Sequence, residues 1–125
     1  MRLVIGGVSQ GKLDYVLESY SLTEKEVMDG NSSDMVDINH KAFYAFETWF
    51  KRQLKLGREP EEAADALING LPELIVICDE IGNGIVPMEP FEREYRERLG
   101  RYLNKLAREA VSVERVFCGI GQRIK

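Results

Sequence analysis

The stretch Ile5–Asp14, IGGVSQGKLD, places glycines at 6, 7 and 11 immediately before Lys12. A glycine, four residues and then Gly-Lys is the spacing of a phosphate-cradling loop. Successive backbone N–H groups converge on phosphate oxygens, the following helix points its positive end at them, and the lysine brings a point charge to the β- and γ-phosphates. Leu13 is the departure. A Ser or Thr hydroxyl at that position ordinarily ligates Mg²⁺, and leucine offers no oxygen. Backbone cradling of a nucleotide by Gly6, Gly7, Val8, Ser9, Gln10, Gly11, Lys12 and Leu13 is therefore expected to survive, while Mg²⁺ placement weakens.

Other residues with chemistry to offer are few. Asp79 and Glu80 close the apolar run ELIVICDE, residues 73–80, and the carboxyl end of a buried strand is where open α/β sheets place ligands. They read either as Mg²⁺ ligands, direct or through water, or as a solvated strand end. His40 is the single histidine, and just past a short strand it reads as a nucleophile or as a surface or capping residue. Cys78 and Cys118 both lie in apolar runs and are expected to be buried reduced thiols. With one histidine and no C-x-x-C, a structural zinc site is not expected.

These residues need elements to hold them. Residues 2–5, RLVI, read as a strand running into the glycine loop, and Leu13, Val16, Leu17 and Tyr20 recur at helical spacing beyond it. Residues 21–34 are polar and read as turn or loop, with a short strand MVDIN at 35–39. Phe43, Phe46, Trp49, Phe50 and Leu54 keep helical period, so a helix is expected from Lys41 to about Leu56, its aromatic stripe serving as core. Pro60 opens a second helix, PEEAADALINGL.

After ELIVICDE, a helix is expected from Phe91 to Val111. One face carries Phe91, Tyr95, Leu99 and Leu106, and the other pairs Glu92–Arg96, Glu94–Arg98 and Glu97–Arg101 at i, i+4. VERVFCGIG reads as a last strand. Alternating strands and helices predict an α/β domain with a mostly parallel sheet, and 125 residues fit one domain, residues 1–125.

Composition bounds the partners. With 21 acidic against 17 basic residues and a net charge of −4, no nucleic-acid partner and no attraction to an anionic membrane are expected. No run approaches the roughly 18 apolar residues that span a bilayer, and MRLVIGG lacks the features of a signal peptide, so a cytoplasmic protein is expected.

The stretch CDEIGNGIVPMEPFEREYRERLGRYLNKLAREAVSVERVFCGIGQRIK, residues 78–125, resembles the C-terminal part of the bifunctional adenosylcobinamide kinase/adenosylcobinamide-phosphate guanylyltransferases of cobalamin biosynthesis. The resemblance rests on E-[IV]-G-x-G-I-V-P at 80–87, Arg93–Arg96, Gly100–Arg101, Asn104 and the Gly-Ile-x-x-x-Ile-Lys ending, while LVIGGVSQGK is similar to the family's N-terminal loop, with Gln10 and Leu13 replacing its usual serines. That family has a P-loop NTPase-like three-layer α/β fold. Its members phosphorylate adenosylcobinamide with GTP or ATP and Mg²⁺, then transfer GMP through a guanylylated histidine.

Carried over, the resemblance makes Lys12 and Glu80 catalytic, and Gly82, Gly84, Pro87, Arg96, Arg101 and Asn104 contacts to substrate or phosphate. Asp37, Asp79 and Glu80 become candidate Mg²⁺ ligands. INHK, with His40, resembles the family's histidine segment without its arginines; alternatively MVDINH stands for a later strand ending in an acid, with Asp37 the match, and this second alignment is preferred. Guanylyl transfer then lacks a securely placed histidine. On spacing alone, Arg96 and Arg101 are explained by their helix-surface partners.

The expectation is a shortened member of this family that binds GTP or ATP at the Gly6–Lys12 loop and phosphorylates the cobinamide hydroxyl. Its alternative is a catalytically inactive nucleotide-binding or regulatory member. The shortened middle leaves surface that a homo-oligomer could cover.

Overall fold

In chain order the elements are strand β1 (Arg2–Gly6), helix α1 (Lys12–Ser19), strands β2 (Val27–Asp29) and β3 (Ala42–Tyr44), helices α2 (Phe46–Lys55) and α3 (Pro60–Gly70), strand β4 (Ile75–Asp79), helix α4 (Pro90–Glu109) and strands β5 (Ser112–Phe117) and β6 (Ile120–Arg123). The computed structural model describes residues 1–32, 39–81 and 89–125. They form one sheet in the order β2-β3-β4-β1-β5-β6, parallel throughout except for β6, which runs antiparallel to β5. The fold is α/β with a mostly parallel sheet, as its alternating pattern predicts.

The continuous apolar runs of β1 and β4 are buried because both sheet faces are covered. Leu3, Val76 and Cys78 face a core with Phe43, Phe46 and Phe50 and with Leu99 and Leu106 of α4. Val4, Ile77 and Val116 face a second, smaller core under Val16 of α1. Helices α2, α3 and α4 thus cover one face and α1 the other. Pro60 and Pro90 each sit in a first helical turn, where the missing N–H is no loss.

Five local expectations are corrected. The helix expected from Lys41 begins instead at Phe46, because residues 42–44 pair with β2 and residues 42–43 with β4. Ala45, at φ +56°, then turns the chain from strand to helix. Phe43 suited the helical period but is a strand residue in the same core as the α2 aromatics. Within the stretch expected to be turn or loop, Val27–Asp29 is a short edge strand. The final strand is a hairpin: Cys118 and Gly119 carry φ of +51° and +75° and turn β5 into β6. That turn exposes Cys118, whereas Cys78 is buried as expected. Finally, Glu92 pairs with Lys51 of α2, while Glu94–Arg98 and Glu97–Arg101 form as spaced. The strand expected at 35–39 falls, apart from Asn39 in a turn, outside the described residues.

Candidate functional site

Parallel pairing sets Gly6 opposite Asp79, so β1 and β4 end at the same edge of the sheet. Gly6 admits no side chain: a Cβ there would lie 2.5 Å from the carbonyl oxygen of Val116 on β5. The chain leaves the sheet through residues 7–10 and enters α1 at Gly11, whose φ of +82° belongs to the left-handed region that glycine enters without strain. Ser9, at φ +57°, occupies the same region without that freedom, and such conformations cluster at ligand-binding turns.

Lys12 folds back into this loop. Only 5% exposed, its Nζ donates to the Gly7 carbonyl at 2.6 Å and pairs with Asp79 Oδ1 at 2.6 Å. A buried ammonium needs such partners, and here they hold it at the mouth of a run of loop amides. The Asp79 N–H donates to Glu47 Oε1 at 2.7 Å. Burial pushes the Glu47 carboxyl above its usual range, the Asp79 N–H opposing it and the Asp79 charge adding to it. At the end of β3, burial and then the charges of Asp79, Glu47, Asp29 and Asp14 raise the Tyr44 hydroxyl. Loop residues 8–13, with Asp14, Tyr44 and Asp79, line an open cleft of about 370 Å³. Glu47 and Tyr44 escaped the sequence reading because both lay inside the helix expected from Lys41. Only the break at Ala45 brings them to this edge.

Glu80 takes another direction. Its N–H donates to the Gly6 carbonyl at 2.8 Å, but its carboxylate is held by Arg115 of β5, Nε to Oε1 at 2.8 Å. With Ile81, Gly100 and Asn104 it lines a smaller cleft, about 250 Å³, beside α4. The structure thus brings together Gly6–Leu13 with Asp79 at one place, and Glu80 with Asn104 at another.

The sequence profile of the cobinamide kinase / cobinamide phosphate guanyltransferase family matches residues 15–124. The chain belongs to this family. A search among curated proteins returned no match. The family is one of cobalamin biosynthesis and of transferases, and its P-loop NTPase-like α/β fold agrees with the sheet described above. The match begins at Tyr15, just beyond Lys12, so the loop stands on its own geometry. Among the described residues no helix is long and apolar enough to cross a membrane.

The remaining residues suggested by resemblance to this family are dispersed. His40 precedes β3 by two residues, and Ala42 lies opposite Ile75, which in turn lies opposite Arg2. His40 is therefore at the edge where the strands begin, roughly 13 Å of strand from Tyr44 at 3.3 Å per residue. Arg101 is 68% exposed and pairs with Glu97; it borders a hollow with Glu61, Arg98 and Lys105. Half-buried Arg96 also lies on α4, and neither arginine lines the loop's cleft. Asp37, Gly82, Gly84 and Pro87 lie outside the described residues.

Among the described residues no group of three or more His, Cys, Asp or Glu side chains could hold a metal ion. Mg²⁺ asks for less, since it commonly takes one or two carboxylates together with substrate phosphates and water. Asp79, beside the loop, fits that need. Glu80 is engaged by Arg115, and Leu13 packs against the smaller core with no oxygen to give.

Proposed function

We propose that this family member binds GTP or ATP with Mg²⁺ at the Gly6–Lys12 loop and transfers the γ-phosphoryl group to the hydroxyl of adenosylcobinamide. The observation that carries the reading is Lys12, a buried ammonium set between the Gly7 carbonyl and Asp79 at the mouth of a glycine loop. Family membership supplies the cobinamide acceptor.

On nucleotide binding, Lys12 exchanges Asp79 and the Gly7 carbonyl for β- and γ-phosphate oxygens, and the loop amides take the remaining oxygens. Asp79, released from Lys12, is then free to face the cation. Mg²⁺ held by Asp79 would supply neutralising charge for the phosphates. The acceptor hydroxyl oxygen bonds to the γ-phosphorus as the bond to the β–γ bridging oxygen breaks, the nucleoside diphosphate leaves, and the hydroxyl proton passes to solvent. Lys12 and the amides stabilise charge on the transferred group. His40 stands at the far edge of the sheet, so the proposal is confined to the kinase step.

Titration calorimetry with GTP and with ATP, each with and without Mg²⁺, tests the site. Binding that Lys12→Ala removes, followed by phosphorylation of adenosylcobinamide, is the expected outcome; no binding at millimolar nucleotide sinks the proposal. One observation favours a second reading, binding without turnover: Leu13 serves the core under α1 instead of the metal. In that case Lys12-dependent binding is seen and no phosphorylation follows.

A further inference from the structure

The loop's shape is not fixed by its own residues alone. The Gln10 side-chain Oε1 accepts the Cys118 N–H at 2.8 Å, and the Gln10 carbonyl accepts the Gly119 N–H at 2.8 Å. Both donors belong to the left-handed turn of the β5–β6 hairpin, over a hundred residues away in sequence. The stem of Gln10 crosses the loop's neck, with Cγ 3.6 Å from where a Cβ on Gly7 would stand. A Cβ on Gly11 would stand 3.3 Å from the Gly119 Cα, so loop and turn are in close approach. The helix beyond is tied to the same hairpin, because the Tyr15 and Tyr20 hydroxyls both donate to Glu114 of β5.

We infer that Gln10 is a positioning residue: through its two carbonyl oxygens it clamps the glycine loop to the turn of the C-terminal hairpin and holds the loop amides ready for a triphosphate. The inference rests on the triphosphate site proposed above. A loop that binds through its backbone must have its amides aligned, and alignment already present in the free protein need not be supplied by binding energy. A serine at position 10 is two heavy atoms shorter and could not span from the neck of the loop to Cys118. Glutamine at this position is therefore an alternative support for the loop, not a sign of its decay.

The test compares Gln10→Met, which keeps length but lacks an acceptor, with Gln10→Glu, which keeps both. Amide hydrogen exchange at Cys118 is read in the ligand-free protein, and calorimetric affinity is read with Mg-GTP and Mg-ATP. Gln10→Met is expected to speed Cys118 exchange about tenfold and weaken nucleotide binding about fivefold to tenfold, the range of one lost hydrogen bond. Gln10→Glu is expected to restore Cys118 protection. Gly119→Ala strains the other half of the clamp at φ +75° and should weaken binding too. Combined with Gln10→Met it should lose less than the two losses added, since both act on one contact.

Equal nucleotide affinity in Gln10→Met and the unaltered protein overturns the inference, as does unchanged Cys118 exchange. If the unaltered protein itself binds no nucleotide, the triphosphate site falls and the clamp's role falls with it. That result is distinct from one in which the unaltered protein binds and Gln10→Met binds equally well.

Discussion

Lys12 and Arg98 are both largely buried cations held by carboxylates, yet their surroundings differ in kind. Arg98, on α4, meets Glu61 at 2.7 Å and Glu59 at 2.9 Å, at the start of α3, and Glu94 of its own helix at 3.3 Å. These three acids hold the guanidinium above its already high range, and against the effect of burial Arg98 holds Glu61 below the usual carboxylate range. Its planar fork makes four hydrogen bonds to these acids, and the result is a staple between two helices. Lys12 has one carboxylate, one carbonyl and a loop of backbone amides opening onto a cleft. A compact ammonium on a flexible stem can leave those partners for a phosphate. Burial of a charge, by itself, does not mark a ligand site; the kind of group around it and the room to exchange partners do.

The largest effect is expected at Lys12. Lys12→Ala should weaken nucleotide binding on the order of a hundredfold by calorimetry, the scale of charged hydrogen bonds lost at once. Arg98→Ala should do the reverse, lowering stability by about 1–2 kcal/mol in denaturant titration while leaving nucleotide affinity unchanged. A fall in affinity there would mean that the α3–α4 staple also shapes the loop's cleft.

A smaller effect is expected from Leu13→Ser. The Mg²⁺-dependent part of nucleotide affinity should rise several-fold, on the order of one hydrogen bond or metal contact. Loss of the side chain's packing under α1 should at the same time cost about 1–2 kcal/mol of stability, less than for a fully buried leucine. No rise in Mg²⁺ dependence would point to losses elsewhere in the site.

The smallest effect concerns α1 itself, well away from Arg98. Burial, then the hydrogen bond and charge of Glu114, pushes Tyr20 up to about 12 from 10.0. The folded state therefore holds its proton where the unfolded chain has lost it, and stability present below pH 10 should be lost as pH rises towards about 12. Melting temperature followed through that window should fall less steeply in Glu114→Gln. An identical fall in both proteins would remove Glu114 as a cause.

Much of the fold was legible because it depends on pattern over long runs. β1, β4 and α4 declare themselves by continuous apolar residues or by helical period, and Pro60 marks a helix start. β2 and β3 did not, being three residues each and stabilised by sheet pairing more than by composition. The aromatic residues on either side of Ala45 belong to one core, so a single helical period described them although two elements carry them. The i, i+4 rule found Arg98's partner Glu94 but not Glu59 or Glu61, which reach it from α3.

The sequence by itself determined the alternating α/β plan, the glycine loop with Lys12 at the head of the first helix, and a resemblance to the family whose profile matches residues 15–124. All of these lie in local pattern or short motifs, which need no knowledge of what packs across from what. Only the tertiary structure decided that Asp79 rather than Glu80 meets Lys12, that Glu47 backs Asp79, that His40 stands at the opposite edge, and that Gln10 reaches the final hairpin. Those relations follow from strand order and register, which bring distant residues to one edge of the sheet, and no spacing along a single chain encodes them visibly.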